Sequence, residues 1–195
     1  MRRKQFLFLA LFLVLNCATA ADSDLSAARP SQILIIRHAE KPPDDDASFH
    51  LNEQGKKRAA ELPKLFIQST DRPQPFPKPD FIFAAENSKK SHRSVETVTQ
   101  LAMSLELPVN ADFENEREQK LKKEIFGRNK YAGKIVLICW HQGTIPELAR
   151  ELGVAGAPAN WPKSVFDRVW IISYDKSGSA TLSEQPQRLL PGDSK

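Results

Sequence analysis

The sequence predicts an α/β fold, a mostly parallel central sheet covered by helices. Two observations lead there. Short continuous apolar runs recur along the chain, as strands buried on both faces require, and helical patterns alternate with them. With 195 residues, 41% of them apolar, and two cysteines, the chain is long enough to bury a core without staples. Disordered, collagenous and cysteine-framework classes are excluded by the same counts.

The N-terminus reads as a signal peptide over residues 1–20. Arg2, Arg3 and Lys4 form a basic start, Phe6 to Leu15 an apolar run, and Ala18-Thr19-Ala20 a small-x-small cleavage site. The run is about half the ~20 residues needed to cross a bilayer, so the mature form is expected to begin at Ala21 without stable membrane insertion. Two alternatives stay open, a lipidated Cys17 and an uncleaved anchor. Cleavage removes three bases and no acid, leaving 25 basic against 24 acidic residues. The formal charge of +4 thus shrinks to +1, and with it the case for a nucleic-acid partner. Only Cys139 survives in the mature chain, so no internal disulfide is possible.

Residues 21–29 are small and polar, a flexible leader, and a single domain is expected over 30–195. Strands are predicted at Gln32–Ile36, Phe81–Ala84, Ile135–Trp140 and Val169–Ser173, with a weaker edge strand at Ala180–Ser183. Helices are predicted from Asn52, placed as N-cap, to about Gln68 with Pro63 splitting or kinking it; over Ser91–Leu105; from Glu114 to about Tyr131; and over Thr144–Leu152 with Gly153 as the stop. Ser69 to Pro79 and Gly153 to Pro162 are connectors, and no internal repeat is present.

In open α/β sheets reactive groups collect at the carboxyl ends of strands. The first strand runs out into Arg37-His38-Ala39-Glu40-Lys41 and the strand Ile135–Trp140 into His141-Gln142-Gly143-Thr144. Each puts a histidine directly after a buried strand. Ser91-His92-Arg93-Ser94 opens a helix, where free backbone N–H groups and an arginine suit an anion. Two guanidiniums and two imidazoles fit a phosphoryl group, because guanidinium forks bind phosphate oxygens in pairs.

These residues resemble the histidine phosphatase superfamily, the phosphoglycerate-mutase-like group defined by an Arg-His-Gly motif. Here the motif stands as Arg37-His38-Ala39, in the Arg-His-Ala-Glu form. Leu51-Asn52-Glu53-Gln54-Gly55 is similar to the family's Leu-Thr-x-x-Gly helix start, and Arg93 with Thr97, then His141 with Gly143, follow in order. The resemblance spans roughly Ile33 to Ser173. It implies a phosphoglycerate-mutase-like three-layer sandwich and a metal-independent phosphomonoesterase without cofactors, in which His38 takes the phosphoryl group as a phosphohistidine. It implies that the second ring nitrogen of His38 donates to a backbone carbonyl, and that Arg37, Arg93 and His141 hold the phosphoryl oxygens. One branch of the family has an acid directly after the second histidine, where Gln142 stands here. The other branch points to Glu116 as proton donor, with Glu114 second. Lys41 is expected on the substrate side.

Other features read as structural. His92 is expected as a cap or surface residue and His50 as a loop residue. Asp44-Asp45-Asp46 is expected as a solvated loop at the mouth of the site. Lys56-Lys57-Arg58 and Lys120 to Lys123 are expected as exposed helix faces. Trp161 and Phe166 to Trp170 are expected in packing, Trp161 beside the pocket. Two rival functions remain open: a phosphate-ester binding protein with little turnover, and a metal-dependent hydrolase using the histidines with Glu40 or the aspartate run. A small phosphorylated substrate is the expected partner; its identity and the oligomeric state are not encoded in any readable motif.

Overall fold

β1 (Gln32–Arg37) is the strand around which the sheet is organised. Ile33 to Ile36 are all buried, and alternate side chains enter different cores. The computed structural model describes residues 29–43 and 45–194; the predicted signal peptide, Cys17 and all of the leader but Arg29 lie outside the described residues. After β1 come α1 (Glu53–Glu61), β2 (Phe81–Ala85), α2 (Arg93–Leu105), β3 (Val109–Phe113), α3 (Glu118–Phe126), β4 (Ile135–Trp140), α4 (Ile145–Glu151), β5 (Arg168–Tyr174) and β6 (Ala180–Pro186).

The sheet order is β3-β2-β4-β1-β5-β6. β1, β2, β3 and β4 pair in parallel, while β5 and β6 are antiparallel additions at one side. Ile33 and Ile35 pack with Leu121 and Ile125 of α3 and with Ile145 and Leu148 of α4. Leu34 and Ile36 pack with Val98 and Leu101 of α2 and with Leu62 and Leu65. Helices therefore cover both faces, giving the expected mostly parallel three-layer sandwich. Burying each of these aliphatic side chains contributes roughly 1.5–3 kcal/mol, so β1 is anchored from two sides.

The largest differences from the sequence reading fall at four places. The first helix is α-helical only to Glu61 and tightens into a 3-10 turn at Leu62–Phe66, because Pro63 has no N–H for an interior bond. The second helix starts at Arg93, not Ser91. The expected helix from Glu114 to Tyr131 is shorter: an Arg117 N–H to Glu114 carbonyl turn precedes α3, which ends at Gly127. β3 has no counterpart among the predicted strands, since Val-Asn-Ala-Asp-Phe lacks a continuous apolar run; it holds an edge by pairing with β2 alone. Two glycines are geometric necessities. Gly153 has φ +103° just after α4, the expected stop. At Gly55 a Cβ would lie 2.2 Å from the Glu40 carbonyl oxygen, so only glycine lets α1 lie against the chain leaving β1. Asn52 caps that helix as predicted, its Oδ1 accepting from the Gly55 N–H at 2.8 Å.

Candidate active site

Parallel pairing sets Arg37 opposite Trp140, and the His38 N–H extends the ladder to the Trp140 carbonyl at 3.0 Å. His38 and His141 are thereby carried out side by side at the carboxyl ends of β1 and β4. Their ring centroids lie 5.2 Å apart, edge to face. Arg93, at the start of α2, and Arg37 both act on these rings: with burial as the main cause, their charges lower His141 to about 4. His38 is pushed well below the ordinary imidazole range, again chiefly by burial. Its Nδ1 faces the Ala39 carbonyl at 2.7 Å, so Nδ1–H donates and Nε2 keeps its lone pair. The expected tautomer lock is thus present. The backbone carrying it is fixed in turn, since the Ala39 N–H donates to Thr97 Oγ1 at 2.9 Å and that hydroxyl donates to the Arg93 carbonyl at 2.7 Å.

Arg37 is almost wholly buried, and burial lowers its guanidinium to about 10. Nη1 donates to the carbonyls of Lys163 (2.6 Å) and Val165 (3.1 Å), and the guanidinium lies 3.7 Å from the Phe166 ring centroid. Arg93 Nη1 donates to the Ser48 carbonyl at 3.3 Å. In both arginines the buried Nε–H has no hydrogen-bond partner. Two buried, unpartnered guanidinium donors beside two neutral imidazoles form a cluster electrostatically suited to an oxyanion.

Glu116 and Glu114 are exposed; Glu114 pairs with Arg117 at 3.4 Å, and Glu116 lines a cavity shared with Glu118 and Glu147 that carries neither histidine. Among the described residues no carboxylate hydrogen-bonds to the ring of His38 or His141. Lys41 is half-buried and its carbonyl accepts from Asn52 Nδ2 at 2.9 Å. Glu40 is committed elsewhere: it takes a bidentate hold on Arg58 (2.7–3.0 Å), which also grips Asp193 at 2.7 Å. Arg58 was expected on an exposed face and is instead 3% exposed, because these two carboxylates neutralise it. Asp45 and Asp46 are exposed as expected, whereas Asp44 lies outside the described residues. Trp161 is buried against Trp170.

Three residues of the site region escaped the sequence reading. Phe166, expected only in packing, touches Arg37 and sits 6.1 Å from the His38 ring. Asn115 receives Thr144 Oγ1 at 2.8 Å and Trp140 Nε1 at 3.1 Å, tying the turn before α3 to the segment that carries His141. Glu118 is buried, and burial raises its carboxyl above the ordinary range. Only the last of these had a signal, an acid at a helix start.

The fold is phosphoglycerate-mutase-like, as the motifs implied. Three solved structures carry the comparison. The chain is similar to the protein histidine phosphatase SixA complexed with tungstate, at TM-score 0.56 and 15% identity over 80% of this chain and 97% of that one. It is similar to the α-ribazole phosphatase from Shigella flexneri, at TM-score 0.54 and 17% identity over 84% and 100%. It is also similar to the phosphoglycerate mutase from Bacillus anthracis, at TM-score 0.54 and 14% identity over 82% and 94%. No family model and no curated protein sequence matches the chain.

Proposed function

We propose that the chain is an exported phosphomonoesterase that works through phospho-His38. One observation carries the reading: His38 and His141 meet at 5.2 Å, flanked by two arginines whose buried Nε–H groups have no partner. Nε2 of His38 attacks phosphorus, the P–N bond forms as the ester P–O bond breaks, and water then cleaves the P–N bond to release phosphate. Burial keeps the imidazole unprotonated and so nucleophilic. Arg37, Arg93 and His141 are assigned to the phosphoryl oxygens, where fixed donors cost no reorganisation as charge shifts. Lys41 is assigned to the substrate side of the same opening. Export rests on the signal-like layout of residues 1–20.

Removing a covalent nucleophile costs on the order of 10⁴-fold or more in turnover. His38→Ala assayed on p-nitrophenyl phosphate, with trapping of phosphate on the parent protein, tests the reading; unchanged hydrolysis in the variant would end it. For the departing oxygen the sequence offered Glu116. Exposed as that side chain is, Glu116→Gln is expected to change aryl and alkyl phosphate turnover alike by less than about twofold, against the ~10²-fold or larger selective loss on alkyl esters of a true general acid.

With no carboxylate among the described residues bonded to either ring, rates are expected to fall steeply as the leaving group becomes more basic. The same observation favours the second reading, a phosphate-ester binding protein with little turnover. Calorimetric binding of phosphate esters without hydrolysis across a substrate panel identifies it. The metal-hydrolase alternative loses Glu40, which is taken up by Arg58.

A further inference from the structure

A second cluster of ligating side chains lies outside the proposed phosphate pocket. His92 and Glu96 stand four residues apart, so they share one face at the start of α2. His50 reaches them from the loop before α1. One ligating atom from each of His50, His92 and Glu96 falls within 4.8 Å of the others. The His50 and His92 rings stand 5.2 Å apart and nearly perpendicular, and His50 Nδ1 contacts Glu96 Oε1 directly. We propose that His50, His92 and Glu96 form a binding site for a zinc-class divalent ion, one that clamps the 45–50 loop to α2.

Two imidazoles and one carboxylate are the donor set of an open zinc site. At metal–ligand distances near 2.1 Å the donors sit about 3.4 Å apart, inside the 4.8 Å span of the cluster, and His50 Nδ1 and Glu96 Oε1, now in direct contact, must part to admit the ion. His50 is exposed and on a loop, free to make that movement. The surroundings are already ordered for it. Glu96 Oε2 accepts from the Leu51 N–H at 2.9 Å, which aims the other oxygen at His50. Phe49 packs at a tilt against both imidazoles, at 4.3 and 4.7 Å between centroids, and its carbonyl accepts from the His92 N–H at 2.9 Å. Imidazole nitrogens select zinc, cobalt, nickel or copper over magnesium and calcium. Lys56 and Arg93 bring positive charge near Glu96, so affinity is expected in the micromolar range. Arg93 also donates to the Ser48 carbonyl in this loop, so a bound ion would stiffen the wall that presents Arg93.

The test uses the full chain without a histidine tag, in a Cys17→Ser background, with Zn²⁺ calorimetry and the visible absorption of Co²⁺ as probes. One ion per chain is expected. His50→Ala and Glu96→Gln are each expected to weaken binding at least about tenfold, whereas His38→Ala and His141→Ala leave it unchanged. His50→Ala guards against misfolding, since that side chain is exposed. No binding at about 0.1 mM Zn²⁺, binding that neither cluster variant weakens, or binding lost in His38→Ala or His141→Ala overturns the proposal.

Discussion

Replacing His141 by glutamine should flatten the acid limb of the protein's stability curve. In the folded chain burial, then the charges of Arg93 and Arg37, lower this imidazole to about 4. In the unfolded chain it takes a proton near 6.5. Between those values the unfolded state binds more protons, so stability is full above about pH 6.5, declines as pH falls toward 4, and levels below it. The gap corresponds to roughly 3 kcal/mol between pH 7 and pH 4 for this one side chain. His38, lowered in the same direction, adds a decline of its own that the substitution leaves in place. Urea unfolding of parent and His141→Gln at pH 7, 6, 5 and 4 measures the difference. The parent should lose about 3 kcal/mol more than the variant across the window. An NMR titration of the His141 ring near 6.5, or equal losses in the two proteins, would refute the electrostatic picture of the pocket.

Gly55→Ala should destabilise by about 1–3 kcal/mol in urea or thermal unfolding, since its Cβ would meet the Glu40 carbonyl oxygen at 2.2 Å. The ~1 kcal/mol that alanine gains in helix propensity cannot offset this. Arg58→Met should cost about 3–5 kcal/mol by the same measurement, because it leaves the Glu40 and Asp193 carboxylates buried and facing each other. Thr97→Val strips the acceptor from the buried Ala39 N–H; a loss of about 1–3 kcal/mol is expected, with a fall in kcat from a looser His38.

What could be read from the sequence was whatever depends on local pattern. Ile33 to Ile36 and Val136 to Trp140 announce doubly buried strands, and a histidine after each is visible without knowing that the strands are neighbours. Asn52 and Gly55 mark the start of α1 by cap chemistry and by a glycine where a helix meets backbone. The misreadings share a long-range cause. Arg58 looks solvated within Lys56-Lys57-Arg58, since its neutralising partner Asp193 is remote in the chain. Phe166 becomes part of the site only through its stack on Arg37. β3 has no pattern of its own and exists because β2 offers an open edge.

The placement of β1 has a consequence for how the molecule comes into being. Its hydrogen-bonding partners begin at residue 135 on one edge and residue 169 on the other. While the chain is being synthesised, Gln-Ile-Leu-Ile-Ile-Arg therefore waits as an orphaned, β-prone apolar segment until most of the polypeptide has emerged. Such a segment can pair with another nascent copy before its own partners arrive. Yield during expression should thus depend on how quickly the distal strands are delivered, and slowing translation beyond residue 100 should raise the aggregated fraction without altering the stability of molecules that do mature.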